Sequence, residues 1–312
     1  MDLGELVGRA REGQPRAVAR LISLVEDESP RLREVAAALN PLTGHARVLG
    51  LTGPPGVGKS TATSMLVAAF RKQGLRVGVL AIDPSSPFSG GALLGDRIRM
   101  HDHATDPDVF IRSMATRGQL GGLAAATPQA LRVLDAAGCD VVLIETVGVG
   151  QSEVDIVALA DTTVVLLAPG MGDGIQAAKA GILEVADVFV VNKADRDGAE
   201  QTVRDLRHMI SLGRRETGPS WRQPIVRTVA LAGEGVEDLA AALESHREWL
   251  VSHGELAARR ARRAEGEIEA IAVAALRTRL GVGQEALARL AERVAAGELD
   301  PYAAADKLTA GD

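Results

Sequence analysis

The chain has a single cysteine, Cys139, in 312 residues. That excludes an internal disulfide framework and a cysteine-based zinc site, and it fits a reducing cytosol. Aromatic residues make up 2%, too few for the stacking platforms that hold single-stranded nucleic acids. The net charge of −6 gives none of the basic excess that nucleic-acid partners select. No apolar run reaches membrane-spanning length, and the start, with Asp2 and Glu5 in a polar helical pattern, lacks a basic-then-apolar signal. The expectation is a soluble cytoplasmic protein with neither nucleic-acid nor membrane partners. Lysine is scarce too: Lys59, Lys72, Lys179, Lys193 and Lys307 stand against thirty arginines.

Two of those lysines sit in motifs. Gly53-Pro54-Pro55-Gly56-Val57-Gly58-Lys59-Ser60 lies between the apolar run Val48–Leu51 and a helical Thr61–Lys72. It fits G-x-x-x-x-G-K-[ST] in the strand–loop–helix context that a phosphate-cradling P-loop needs. Glycines let backbone N–H groups converge on phosphate oxygens, and the helix that follows turns its positive end to the same anion. Lys59 is expected on the β- and γ-phosphates and the Ser60 hydroxyl on Mg²⁺.

Around the P-loop, short apolar strands alternate with helices. The strands are expected at Val48–Thr52, Val77–Ile82, Val109–Ile111, Val141–Ile144, Thr163–Leu167, Val188–Val191 and Ile225–Thr228. Helices are expected at Gly118–Ala137, Ile175–Val185 and Asp197–Ser211. This alternation means an α/β fold with a mostly parallel sheet covered on both faces and ligands at the C-terminal strand ends. Residues 2–40 read as two helices broken by Pro30, and helical pattern resumes from Val236, with a long Glu255–Leu280. The expected divisions are an N-terminal helical extension (1–44), a P-loop domain (45–250) and a C-terminal helical arm (251–312). Arg259, Arg260, Arg262 and Arg263 read as a solvated helix face, and Cys139 as a small buried apolar residue.

The second lysine motif, Asn192-Lys193-Ala194-Asp195, closes the strand Val188–Val191 and matches N-K-x-D. A carboxylate at Asp195 can accept from the N1–H and 2-amino group of guanine, a donor pair that adenine lacks. The bound nucleotide is therefore expected to be GTP or GDP. The base-edge loop is expected at Val229-Ala230-Leu231, where Val229 replaces the usual Ser. Glu145-x-x-Gly148 stands where most GTPases carry D-x-x-G: Glu145 can reach Mg²⁺ through water, and the Gly148 N–H can sense the γ-phosphate. Val149 occupies the place of the water-orienting Gln, which implies slow intrinsic hydrolysis. Asp83 and Asp96 flank a Pro/Ser/Gly-rich loop and suit a cation-linked switch; helix capping by Asp96 is the alternative. His101 and His103 have no third ligand nearby and read as surface residues. Lys179 follows the glycine-rich Gly170–Gln176, and reads either as helix surface or as part of a mobile element beside the site.

Longer strings carry a resemblance. Asp83–Met100 (DPSSPFSGGALLGDRIRM), Phe110–Gly118 (FIRSMATRG), Glu145–Glu153 (ETVGVGQSE) and Gly170–Asp195 resemble the methylmalonyl-CoA mutase-associated GTPases, the MeaB/ArgK/MMAA chaperones of adenosylcobalamin-dependent acyl-CoA mutases. The similarity runs over about residues 5–308, with Asp300–Leu308 at its close. It implies a homodimeric GTPase with an N-terminal helical extension and a C-terminal dimerisation arm, one that protects the mutase and gates its cofactor loading. It carries over Lys59, Ser60 and Thr61 as phosphate and Mg²⁺ residues, and Asp83, Asp96 and Glu145 as metal and switch residues. Asn192, Lys193 and Asp195 carry over as base readers, and Gln151, Gln176 and Lys179 as switch and partner residues. Gly174 and Ala178 stand where relatives have Asp and Ile, which makes that loop smaller and less charged.

Two other readings compete. A nickel-enzyme maturation GTPase would need His-rich or Cys-containing delivery segments, and six His with one Cys argue against it. A nucleotide-sensing module with incidental hydrolysis is separated by whether a mutase changes the rate.

Overall fold

The computed structural model describes residues 2–27, 29–83, 103, 105–115, 126–146, 152–170, 185–213, 220–279 and 285–310. Met1–Arg259 forms one compact unit and Arg260–Asp312 another. The first begins with α1 (Leu3–Arg11), α2 (Pro15–Glu26) and α3 (Leu32–Leu39), followed by β1 (Arg47–Thr52), α4 (Lys59–Lys72), β2 (Val77–Asp83) and β3 (Val109–Ala115). After these come α5 (Thr127–Ala136), β4 (Val141–Glu145), α6 (Ser152–Leu159), β5 (Thr162–Leu167) and β6 (Val188–Asn192). The unit continues with α7 (Ala199–Gly213), β7 (Ile225–Thr228), α8 (Val236–Ser252) and the start of α9 (Glu255–Arg279). The second unit holds the rest of α9, α10 (Glu285–Ala295) and α11 (Pro301–Ala310).

Among the described residues seven strands form one sheet, all parallel, in the order β3-β2-β4-β1-β5-β6-β7. A parallel sheet needs cover on both faces, so its strands are apolar throughout rather than alternating. In β4, Val142 and Ile144 face one core with Leu80 and Met114. Val141 and Leu143 face the other, with Leu66 and Phe70 of α4 and Leu243 of α8. α7 covers β5 and β6 through Val203 and Leu206, which pack against Val165 and Phe189.

The N-terminal segment is three helices rather than the expected two. Pro15 opens α2 at its first position, where its missing N–H costs nothing. Leu6 and Val7 of α1, Leu21 and Ile22 of α2 and Val35 and Leu39 of α3 are buried in the same core as β2, β3 and β4. Arg112 of β3 pairs with Glu26 of α2, so these helices are a layer over one sheet face. In the expected helix Gly118–Ala137, the described portion starts at Thr127; residues 118–125 lie outside the described residues.

Arg259 also departs from expectation. It is not part of a solvated face: its guanidinium makes two 2.8 Å bonds to Asp187 and donates to the Asp161 carbonyl at 3.0 Å. Asp187 also accepts the Thr163 N–H at 2.8 Å. His246, fully buried, lies with Nε2 3.3 Å from Asp187 and Nδ1 2.9 Å from the Thr162 hydroxyl. The Trp221 ring packs 4.8 Å from His246, and its indole N–H donates to the Asp187 carbonyl at 2.7 Å. This polar knot sits at the N-terminal ends of β5 and β6. Among the described residues no helix is long and apolar enough to cross a membrane.

Candidate nucleotide site

The C-terminal ends of β1, β4, β6 and β7 converge on one region, where the order of the sheet turns outward from β1 in both directions. Gly53 leaves β1 with φ +141°, and a Cβ there would stand 2.2 Å from the Leu166 carbonyl oxygen of β5. Gly58 has φ +92°, and a Cβ there would stand 2.5 Å from the Asn192 amide nitrogen. Only glycine fits at either place. Lys59 and Ser60 are therefore set on the first turn of α4, where N–H groups that point out of the helix and the helix dipole favour an anion.

The loop's lysine is almost buried, and its ammonium donates to the Gly53 and Pro54 carbonyls at 2.7 and 3.0 Å. Pro55, Gly56 and Thr61 are exposed around it, while Val57 is fully buried beneath the loop. The Ser60 hydroxyl donates to Glu145 Oε1 at 2.5 Å. Glu145, 3% exposed, closes β4 beside Thr146, whose N–H donates to the Leu51 carbonyl and whose hydroxyl donates to that of Thr52. A hydroxyl and a buried carboxylate sharing one hydrogen bond at the phosphate end form two oxygen donors of the hard kind that Mg²⁺ takes. The backbone of Asp83 closes β2 in register with Ala115. Asp96, Gly148, Val149, Gln151, Gln176 and Lys179 lie outside the described residues, as do Gly174 and Ala178.

On the other side Asn192 acts as a strut. Its amide nitrogen donates to the Val57 carbonyl at 2.8 Å, and its oxygen accepts the Thr228 hydroxyl at 3.1 Å and the Ala230 N–H at 3.0 Å. One 2% exposed side chain thus joins the P-loop to the base-edge loop. Lys193 takes φ +56°, and its ammonium donates to the Gly56 carbonyl at 2.6 Å, which lays the stem across the space between the two loops. Ala194 N–H donates to the Thr228 carbonyl, and Asp195 is left exposed beyond it. Val229 bridges to Glu234, Ala230 is buried, and Leu231 is 91% exposed at the tip.

Two features were not anticipated from residue types. Asn192 holds Val57 across 135 positions of sequence, and only the N-K-x-D match hinted at it. His103, expected at the surface, is half-buried, with Nε2 3.1 Å from both the Ser64 hydroxyl and the Ser64 carbonyl of α4. His101 lies outside the described residues. Cys139 is buried, and that burial pushes its thiol up to about 12, so it stays neutral.

A P-loop at the switch point of a parallel sheet, tied through an N-K-x-D strut to a base loop, defines the chain as a P-loop GTPase. The comparisons agree. Residues 18–285 match the family model described as methylmalonyl Co-A mutase-associated GTPase MeaB. A Pyrococcus abyssi protein with a provisional GTPase name is 50% identical over 98% of this chain and 95% of its own length. GTPase ArgK of Escherichia coli strain K12 is 36% identical over 81% of this chain and 78% of its own. The mitochondrial methylmalonic aciduria type A homolog of Mus musculus is 38% identical over 80% of this chain and 64% of its own. The crystal structure of an LAO/AO transport system kinase superposes with a TM-score of 0.72 at 27% identity, covering 98% and 96% of the two chains. The chain belongs to the methylmalonyl-CoA mutase-associated GTPase family.

Proposed function

We propose that this GTPase is a chaperone of an adenosylcobalamin-dependent acyl-CoA mutase of the methylmalonyl-CoA mutase type, protecting it and gating its cofactor loading. The observation that carries a switch, rather than a metabolic reaction, is the strut: phosphate loop and base loop are one hydrogen-bonded piece through Asn192. Loss of the γ-phosphate is then read at the ends of β2 and β4, where Asp83 and Glu145 lead into the segments carrying Asp96, Gly148 and Gln151. Ser60 and Glu145 hold Mg²⁺, with Asp83 and Asp96 completing the metal-linked switch. Asp195 reads guanine, with Val229, Ala230 and Leu231 at the base edge. Gln176 and Lys179 form the contact through which the nucleotide state reaches the mutase. The mutase itself is suggested by the family's description, and the working form is a homodimer.

The test is cofactor transfer. Apo-mutase is loaded with adenosylcobalamin in the presence of this protein bound to GTP, to GDP, or to a non-hydrolysable GTP analogue. Loading that differs between the three states is expected. Equal loading in all three, and equal to loading without the protein, overturns the chaperone reading.

A further inference from the structure

A cavity of about 450 Å³ opens at the N-terminal ends of β1, β2 and β4. It lies outside the nucleotide site, because β1 runs from Arg47 at the cavity to Thr52 at the P-loop, about 17 Å away. Its volume is that of a small-ligand site. The inner wall is apolar: Ala136 and Cys139 are buried, and Leu42 and Leu75 are half-buried. Three guanidiniums reach the cavity from segments far apart in sequence: Arg11 ends α1, Arg47 opens β1, and Arg247 lies in α8.

These cations have more donors than the chain gives them acceptors. Arg47 and Arg247 share one carboxylate, donating to the two oxygens of Glu244 at 2.5 and 3.0 Å. The exposed Arg11 side chain makes no hydrogen bond or ion pair among the described residues. A guanidinium carries five N–H donors, so most of those at the cavity are left to solvent or a ligand. Two acids also line the wall, and both are already engaged. Asp135 accepts the N–H groups of Gly44, His45 and Ala46, and Asp140 accepts that of Arg76.

We infer that this cavity is a second ligand site, one that takes a small phosphate monoester with an apolar body. Such a phosphate carries close to two negative charges at neutral pH and three acceptor oxygens. Guanidinium forks match those oxygens in pairs. The apolar body covers Leu42, Leu75 and Ala136, where a free phosphate would leave water. A carboxylate offers one charge and two oxygens to the same three cations, and so binds more weakly.

The test uses the full chain saturated with GDP and Mg²⁺, so that the P-loop is filled, at fixed ionic strength. Phenyl phosphate is titrated by calorimetry and compared with benzoate and inorganic phosphate. Phenyl phosphate is expected to saturate with a dissociation constant below about 1 mM, with both other probes at least about threefold weaker. Arg11→Ala and Arg247→Ala should each weaken it at least about fivefold, and Glu244→Gln should tighten it by releasing two guanidiniums. Arg11 is exposed and unbonded, so its variant keeps the native melting midpoint. Arg20→Ala, an exposed change on α2 away from the cavity, should stay within about twofold, which separates a site from general charge. No saturation up to about 10 mM overturns the site. Binding that ignores Arg11→Ala and Arg247→Ala, or that Arg20→Ala weakens equally, overturns it as well. Benzoate binding as tightly as phenyl phosphate overturns the choice of phosphate.

Discussion

The two ends of the parallel sheet each carry a polar network, and they are built in opposite ways. At the N-terminal ends of β5 and β6 the network is closed. Asp187 receives two bonds from Arg259 and one from the Thr163 N–H, with His246 beside it and Trp221 packed over the imidazole. At the C-terminal ends the network is open: Ser60, Pro55, Gly56, Asp195 and Leu231 stay exposed around a tied-down Lys59, Glu145 and Asn192. A closed network fixes geometry, because breaking it strands a buried charge. An open one leaves donors and acceptors for a ligand. The same sheet thus holds its shape at one end and exchanges a nucleotide at the other.

Substitutions should separate the two ends, and the largest effect lies at the open one. Lys59→Ala is expected to abolish productive triphosphate binding while leaving the thermal midpoint of the nucleotide-free protein within a few degrees, read by titration calorimetry and melting. A variant that still binds GTP tightly breaks the assignment of the open end. At the closed end, Arg259→Ala strands Asp187 and is expected to cost about 3–5 kcal/mol of stability in urea unfolding, with the GTP dissociation constant of the folded protein unchanged.

The closed end also predicts a pH dependence. Burial alone would push the Asp187 carboxyl up, but the His246 imidazole 3.3 Å away and the paired hydrogen bonds from Arg259 outweigh it and hold the group below the usual carboxylate range. A depressed native value gives stability that is full above the unfolded value, near pH 4, and is lost as pH falls through the native one. The stability advantage over Asp187→Asn should therefore be largest near neutrality and shrink below about pH 4. An advantage that grows in acid would refute the ionised pair.

A smaller effect sharpens the open end. Asp195→Asn is expected to weaken GTP binding by about 2 kcal/mol, some 30-fold, and to relax the preference for guanine over adenine, measured by competition with ATP. Unchanged preference would remove Asp195 from the base.

How much of this was legible in the sequence follows from range. The P-loop and N-K-x-D are contiguous strings whose chemistry is local, and strand after strand of Val, Ile and Leu announced a parallel sheet. The N-terminal count failed because the break after Arg11 carries only a short turn before Pro15, and the apolar spacing runs on through it. Arg259 could not be read, because its partner lies 72 positions away, just before a strand, and a run of arginines on a helix looks solvated until a buried acid is placed beside it. His103 was missed for the same reason: its contact, Ser64, is set by packing between distant segments.

The central claim is a GTP switch that is slow alone and answers to a mutase. Its most direct measurement is the single-turnover GTPase rate of the purified protein with and without saturating methylmalonyl-CoA mutase. With Val149 where a water-orienting Gln would stand, the account predicts a rate well below about 1 s⁻¹ alone and clear stimulation by the mutase. A rate above about 1 s⁻¹ without a partner, or none of that stimulation at saturation, would contradict it.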